Sequence, residues 1–153
     1  MAKTLKIGDR VVLDRERLND LLETIRGLGY EIHAPTVSDG AIGIGPIESD
    51  RDLPMGWRDR QDAGTYRLER RNDEALFGYA VGPHSWKRLL FPPRRTLWQA
   101  EREGSRFHLL PMREETPRSA LFGVRPCEMA AIGVQDRVFL SGPYRDADYA
   151  RRR

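Results

Sequence analysis

The stretch Leu121-Phe-Gly-Val-Arg-Pro-Cys-Glu-Met129 decides the fold, because it joins a predicted strand to a predicted helix and contains the only cysteine of the chain. Residues 119–124 form a short, mostly apolar run typical of a buried strand, and residues 129–140 carry apolar side chains at helical spacing. Pro126 suits the first position of a helix, where its missing N–H costs nothing. We therefore expect Cys127 to lie in the first turn of that helix.

The predicted surroundings of Cys127 favour a reactive or metal-ligating thiolate. The free N–H groups of a helix N-terminus, with Arg125 alongside, stabilise negative charge on a thiol. Cys127 and His84 would form a thiol–imidazole pair for nucleophilic catalysis, oriented by Glu128, if the fold brought them together. The alternative is a buried cysteine that fills space at the junction, since free cysteine is among the most buried residue types.

A second notable stretch is Gly82-Pro-His-Ser-Trp-Lys-Arg-Leu-Leu-Phe-Pro-Pro93, in which aromatic and basic residues alternate with prolines. If exposed, Trp86, Lys87 and Arg88, together with His84, would stack on a planar or anionic partner or dock a partner subunit. The alternative is that Trp86 and the apolar residues after it form one turn that faces the core.

Outside these two stretches, the spacing of apolar residues predicts several further elements. Asp14 is expected to cap a helix whose apolar residues recur between 18 and 28 and which ends at glycines. A Ser-Asp-Gly turn at 38–40 predicts a β-hairpin over residues 30–47. The remaining predictions are a short strand or latch within residues 1–13, a loop over 48–64, strands over 65–70 and 105–112 with Phe107 and Leu109 facing inward, a helix over 96–102, and a short helix at the end.

The composition indicates one soluble domain, residues 1–153, which is long enough to bury a core. The 26 basic residues are nearly balanced by 23 acidic ones and are interleaved with them, so we expect a solvated face with ion pairs and no nucleic-acid partner. One cysteine, no secretory signal and no apolar stretch near the roughly 20 residues that span a bilayer predict a cytoplasmic protein without a membrane span. The mixture of strand and helix signals predicts an α/β or α+β fold, with a mixed sheet and flanking helices.

Two common cofactor sites are not expected within this chain. The three histidines and the one cysteine are widely spaced and match no zinc pattern. Gly43-x-Gly45 lacks the third glycine and the following helix of a dinucleotide-binding loop, and Pro46 intervenes.

Seven short segments carry a resemblance to a known family. The most specific is Leu76-Phe-Gly-Tyr-Ala-Val-Gly-Pro-His-Ser-Trp-Lys-Arg88, and Gly123-Val-Arg-Pro-Cys-Glu128 contains the cysteine. The others are Asp39-Gly-Ala41, Asp52-Leu-Pro-Met-Gly-Trp57, Tyr66-Arg-Leu68, Leu90-Phe-Pro-Pro93 and Asp136-Arg-Val-Phe139. Together they look like the N-terminal part of the 4Fe-4S dicluster electron-transfer subunits of the hydrogenase and sulfhydrogenase beta-subunit type, to which the anaerobic sulfite reductase A subunit is similar.

The resemblance implies a scaffold and partner-docking domain of a cytoplasmic iron–sulfur electron-transfer subunit, with catalysis in the other subunits of the redox complex. Members of the family continue past the equivalent of residues 149–152 with a cysteine-rich stretch and a ferredoxin-like dicluster domain. Cys127, with Arg125 and Glu128 beside it, would then supply one ligand to a 4Fe-4S cluster in the full-length subunit.

No cluster is expected to be held by this chain alone, because a 4Fe-4S cluster typically uses four thiolates. Two alternatives stay open at this point. One is a stand-alone binding module without a redox role, and the other is a small thiol enzyme that uses Cys127.

Overall fold

The computed structural model describes residues 5–80, 82, 84–110 and 117–153. Within those ranges the chain forms seven strands and four α-helices, most of them short. The strands are β1 (Tyr30–Ser38), β2 (Ala41–Pro46), β3 (Trp57–Asp62), β4 (Thr65–Arg70), β5 (Gln99–Glu103), β6 (Arg106–Leu110) and β7 (Arg118–Leu121), and the helices are α1 (Leu18–Gly27), α2 (Lys87–Leu90), α3 (Pro126–Leu140) and α4 (Ala147–Arg152).

A three-stranded mixed sheet in the order β2-β1-β7 forms the centre of the fold. Strand β1 pairs with β2 antiparallel and with β7 parallel. The β1–β2 turn contains Asp39 at φ 50° and Gly40 at φ 72°. Two successive residues with positive φ form the type I′ turn that suits a two-residue hairpin, and Asp-Gly favours it. The predicted hairpin and the predicted mixed sheet are both confirmed.

Helices flank both faces of this sheet. On one face Leu18 and Leu22 of α1 pack against Ile32 and Ala34 of β1. On the other face a second buried cluster joins α2, α3 and α4, and its members are Trp86, Leu90, Ile132 and Tyr149. The described part of the chain is therefore a single α+β domain with two apolar clusters on opposite sides of one sheet.

The predicted helix of residues 18–28 is α1, which ends at Gly27 before Gly29 adopts φ 84°. A 3-10 turn over residues 15–17 precedes it, and the Asp14 side chain makes no capping hydrogen bond. The predicted Asp14 cap is therefore wrong. The 3-10 turn is closed by a backbone hydrogen bond, in which the Arg17 N–H donates to the Asp14 carbonyl at 2.9 Å.

Strand β3 lies inside the segment that was predicted to be a loop, and it forms a separate hairpin with β4. Its sequence is mostly polar, so it lacks the apolar alternation that marks a half-buried strand. Side-chain contacts between β3 and β4 stabilise the strand instead. The Arg70 guanidinium carbon lies 3.8 Å from the Trp57 ring centroid, and Arg58 Nη2 lies 2.8 Å from a Glu69 carboxylate oxygen.

The helix predicted over residues 96–102 is wrong, because β5 occupies most of that segment and pairs with β6 across a turn at Gly104, φ 61°. The Gln-Ala-Glu-Arg-Glu sequence has high helix propensity, and cross-strand pairing overrides it. Strand β6 confirms the predicted strand as far as residue 110, while residues 111–112 lie outside the described ranges. The predicted inward orientation of its apolar residues is wrong, since Phe107 and Leu109 are 70% and 72% exposed.

The strand or latch predicted within residues 1–13 does not form in residues 5–13, and the first four residues lie outside the description. The side chains of residues 5–13 are exposed, Ile7 and Val12 among them. None of these side chains belongs to either buried cluster, and residues 5–13 pair with no strand of the described ranges.

The predicted short helix at the end is α4, and one carboxylate fastens it to α3. The Tyr149 hydroxyl donates to Asp136 Oδ1 at 2.8 Å, and Arg153 Nε donates to the same oxygen at 2.9 Å. The Asp146 side chain caps α4 by accepting hydrogen bonds from the backbone N–H groups of Asp148 and Tyr149. Among the helices of the described ranges, none has the length and apolar character needed to cross a bilayer.

Candidate functional site

The junction between β7 and α3 places Cys127 as the sequence predicts. Strand β7 is shorter than predicted because Gly123 adopts φ 80°, a left-handed conformation that ends the extended backbone. Arg125 is the N-cap residue in extended conformation, and Pro126 is the first residue of α3. Cys127 is thus the second residue of a 15-residue helix, and its side chain is exposed. The alternative of a buried, space-filling cysteine is wrong.

Glu128 stabilises the start of α3. Its Oε2 atom accepts a hydrogen bond from the Arg125 backbone N–H at 2.9 Å, which is the carboxylate half of a capping box. His84 Nδ1 lies 3.3 Å from Arg88 Nη1. Within the described ranges no hydrogen bond connects Cys127 with His84 or Glu128. The thiol–imidazole arrangement that nucleophilic catalysis requires is therefore not assembled there.

Arg125 is held against Tyr79. Its guanidinium donates a short hydrogen bond to the Tyr79 backbone carbonyl, and its central carbon lies 5.4 Å from the Tyr79 ring centroid. The side chain is only partly exposed. A fixed positive charge therefore lies beside the N-terminus of α3, where the helix dipole has the same sign.

A small cavity, with about 20 Å³ of space for a water-sized molecule, lies beside this junction and is lined by three segments that are distant in sequence. The first segment is the β1–β2 hairpin, the second covers residues around Tyr79 and Trp86, and the third is the junction with Arg125 and Glu128. Two of the three carry the most specific parts of the family resemblance. The structure thus brings His84, Arg125 and Glu128 to one cavity, whereas Cys127 is not among the residues that line it.

Tyr79 is the unusual side chain of this cavity. It is 8% exposed, and its hydroxyl oxygen is buried without a hydrogen-bond partner in the described part of the chain. Burial raises the pKa of Tyr79 to about 12; the charge of Arg125 opposes the rise, and the charge of Glu128 adds to it. The phenol is therefore protonated at neutral pH, and its hydrogen has no acceptor among the residues that the structure describes.

The predicted docking surface at residues 84–88 needs an exposed Trp86, and the structure corrects this. Trp86 is 2% exposed and belongs to the core cluster with Leu90. Trp86 is the N-cap residue of helix α2 and Leu90 is its last residue, and both side chains lie in this cluster. Lys87 and Arg88 are exposed on the opposite side of that one-turn helix.

Tyr79 and Gly82 are among the residues of the cavity that sequence reasoning missed. Gly82 passes so close to β2 that an added Cβ would collide with the Ile42 carbonyl. Both residues lie inside the most specific segment of the resemblance, which is the one sequence signal near them. Burial of a particular tyrosine hydroxyl has no local sequence signature, so this feature required the structure.

An apolar stripe continues from Cys127 along the outer face of α3. Cys127, Ala131, Val134 and Val138 follow one another at intervals of three or four residues, which places them on one face of a helix. All are exposed, with Val134 at 50% and Val138 at 65%. The opposite face of α3 packs Ile132 into the core. Helix α3 is therefore apolar on both faces, and the face with the thiol has no cover from the described residues.

The residues of this site do not complete an iron–sulfur centre by themselves. Cys127 is the only thiol of the chain, and the described ranges contain no group of three or more His, Cys, Asp or Glu side chains that is able to hold a metal ion. At most one of the four thiolates of a 4Fe-4S cluster is present.

Comparison of the chain with protein-family models, with curated proteins and with solved structures finds no match in any of the three.

Proposed function

We propose that the chain is the scaffold and partner-docking domain of a cytoplasmic iron–sulfur electron-transfer subunit of the hydrogenase, sulfhydrogenase or sulfite reductase type, with catalysis in the other subunits. The observation that carries the proposal is the exposed thiol of Cys127 in the first turn of α3. The first N–H groups of a helix have no intrahelical partner, and they favour negative charge on a nearby sulfur. An exposed thiol in that position is accessible as a ligand.

The apolar stripe on α3 supports the same proposal, because it is continuous with Cys127. Contiguous exposed apolar side chains often mark a surface that a partner covers, and Val134 and Val138 are exposed on this stripe. We assign that cover to the protein segment that brings the remaining cluster thiolates. One docking event would then bury the stripe and complete the ligand set, since Cys127 lies at the end of the stripe. Lys87 and Arg88 stay available at the surface for polar contacts.

The test is a comparison of cluster content in the assembled complex with and without the Cys127 thiol. The tagged chain is purified anaerobically from the organism that encodes it, and iron, acid-labile sulfide and the electron paramagnetic resonance spectrum after reduction are measured. We expect Cys127→Ala to remove or convert one 4Fe-4S signal, because the cluster loses a ligand. Ala131→Ser is the matched control, since it changes the same helix face without touching the thiol, and it should leave the signal intact.

A native spectrum in Cys127→Ala would contradict the proposal. Alkylation provides a second readout that does not depend on the spectrum. Iodoacetamide should modify Cys127 in the isolated folded chain, because the thiol is exposed, and should fail to modify it in the complex. Equal modification in both states would show that nothing covers the thiol. The isolated chain should also bind no stoichiometric cluster at low protein concentration after anaerobic reconstitution.

A further inference from the structure

We propose that the outer edge of β6 pairs antiparallel with β6 of a second copy of the chain, about a twofold axis at His108, so that two hairpins form one four-stranded sheet. This surface includes neither Cys127 nor any residue of α3. The inference therefore stands whether or not the chain serves in a redox complex.

The β5–β6 hairpin lacks support from the rest of the domain. The two strands form a sheet of their own, and no further strand of the described ranges extends it. Neither buried cluster of the described residues contains a side chain from it. A hairpin of two strands is marginally stable in water, and it becomes stable when further strands extend a sheet that has an apolar face. Pairing with another strand would therefore stabilise this one.

The free hydrogen-bonding groups of β6 belong to two apolar residues. The loop between β5 and β6 has two residues, so Glu103 and Arg106, which flank it, exchange hydrogen bonds with each other. Along an antiparallel ladder such pairs alternate with pairs whose N–H and C=O groups point away from the partner strand. The backbone groups of Phe107 and Leu109 therefore point away from β5, at the outer edge of the hairpin.

This edge is complementary to itself. In an antiparallel pair centred on His108, Phe107 lies opposite Leu109 of the second copy, and Leu109 lies opposite its Phe107. The same register uses the outward N–H and C=O groups of both residues in both copies. Phe107 and Leu109 are 70% and 72% exposed, so the side chains are available, and aromatic and aliphatic side chains that face each other across two strands stabilise a sheet. A patch that matches itself in this way is what a twofold dimer requires.

Charge selects the β6 edge over the β5 edge. The analogous pairing of two β5 strands would place Glu101 opposite its own counterpart, and like charges in that position destabilise a sheet. Charged side chains are also a common means by which edge strands resist pairing. In the β6 pairing Arg106 lies opposite Leu110, and His108 meets its counterpart at the axis. A Glu103 carboxylate oxygen lies 3.3 Å from His108 Nε2 and offsets repulsion between the two rings.

Sedimentation equilibrium and amide hydrogen exchange, from roughly 10 µM to 1 mM protein, are the measurements. A reductant is present because Cys127 is exposed and would otherwise form a disulfide between copies. We expect a monomer–dimer equilibrium in this range. The amides of Phe107 and Leu109 should exchange more slowly as the dimer forms. The amide of His108 should change less, because it donates to β5 in both states.

Two variants test the proposed register. Leu109→Pro removes an outward N–H and none of the donors to β5, so the dissociation constant should rise at least tenfold. His108→Lys places two ammonium groups at the axis and should have an effect of the same size. Gln99→Lys is the matched control for His108→Lys, since it adds a positive charge on the same face of the hairpin but on β5. It should leave the dissociation constant within about twofold of the original value.

Three outcomes would overturn the inference. The first is a chain that sediments as a monomer throughout the range, which would assign the edge to a different protein or to none. The second is a dimer without slower exchange at Phe107 and Leu109, which would place the contact elsewhere, as on the apolar stripe of α3. The third is equal association of His108→Lys and Gln99→Lys. This comparison also decides the question if Leu109→Pro disrupts the hairpin itself.

Discussion

Two buried tyrosines show how much one hydrogen bond decides at the scale of a single residue. Tyr79 and Tyr149 are both nearly inaccessible, and burial is the main reason that the pKa of each rises to about 12. Their hydroxyl groups differ, because that of Tyr149 donates to Asp136 at 2.8 Å and that of Tyr79 has no partner in the described part of the chain. Loss of the two hydroxyl groups should therefore have opposite consequences for stability.

We predict that Tyr149→Phe lowers the free energy of unfolding by about 1.5–3 kcal/mol, because it removes a satisfied hydrogen bond to a charged acceptor. Tyr79→Phe should leave the free energy of unfolding unchanged or raise it, because it removes a buried donor that is unsatisfied. Urea denaturation of the three chains measures both effects. A loss in Tyr79→Phe as large as that in Tyr149→Phe would mean that the Tyr79 hydroxyl has a partner in solution.

The position of Cys127 was predictable from sequence and the environment of Tyr79 was not. Proline at the first helical position is a local signal, so residues 125–127 alone place the thiol in the first turn. The burial of Tyr79 depends on Arg125, which is 46 positions further along the chain. No short window of sequence contains that contact. The burial of Trp86 also depends on residues far along the chain, Ile132 and Tyr149, so the sequence around Trp86 did not reveal it.

At the scale of elements, turn chemistry was a better predictor than helix propensity. Asp39-Gly40 specifies a type I′ turn by its backbone preference, and the β1–β2 hairpin forms around it. Residues 96–102 have a composition that suits a helix, and β5 forms there because pairing with β6 satisfies its backbone groups. Strand β3 was not predicted because its own sequence shows no alternation of apolar and polar residues. Its stabilising contacts are with β4.

The contact between α3 and α4 leads to a prediction about pH. A hydrogen bond from Arg153 is the main reason that the pKa of Asp136 is lowered, and the Tyr149 hydroxyl contributes to the same shift. Because the pKa of this carboxyl is lower in the folded state than in the unfolded state, its stabilising contribution is present above the unfolded value and is lost as the pH falls through the folded value. Asp136→Asn should thus cost stability at neutral pH and nothing in acid.

We expect Asp136→Asn to lower the free energy of unfolding by about 0.5–1 kcal/mol at pH 7, since the ion pair with Arg153 is partly screened by solvent. The difference from the unaltered chain should shrink steadily as the pH falls below about 4. Urea midpoints between pH 3 and pH 7 measure it. Asp20→Asn, which removes an exposed ion pair with Arg17, is the matched control and should have little effect at either pH. A difference that does not depend on pH would exclude the charge as its cause.

At the scale of the whole molecule, β1 links two apolar clusters that lie on opposite faces of the sheet. Ile32 and Ala34 belong to the cluster under α1, and the neighbouring β7 contributes Leu121 to the cluster that contains Trp86. That the sheet is mixed could be predicted, because the sequence contains both a hairpin signal and a strand-to-helix signal. The order of its strands could not be predicted, since the pairing of β1 with β7 joins segments that lie far apart in the chain. Cooperativity across the sheet follows from that pairing.

We predict that the two clusters unfold in a single transition. In a chain with Trp57 and Trp98 replaced by Phe, the fluorescence of Trp86 reports the cluster on the α3 side. Leu22→Ala lies in the other cluster and should lower the free energy of unfolding by about 2–5 kcal/mol through the lost contacts and the cavity it leaves. The fluorescence midpoint and the far-UV circular dichroism midpoint should move together in urea, because β1, which belongs to the first cluster, pairs with β2 and β7, which pack against the second. Ile32→Val provides a milder change, about 0.5–1.5 kcal/mol, if Leu22→Ala does not fold. A fluorescence midpoint that stays in place while the dichroism midpoint falls would show that the clusters are independent units.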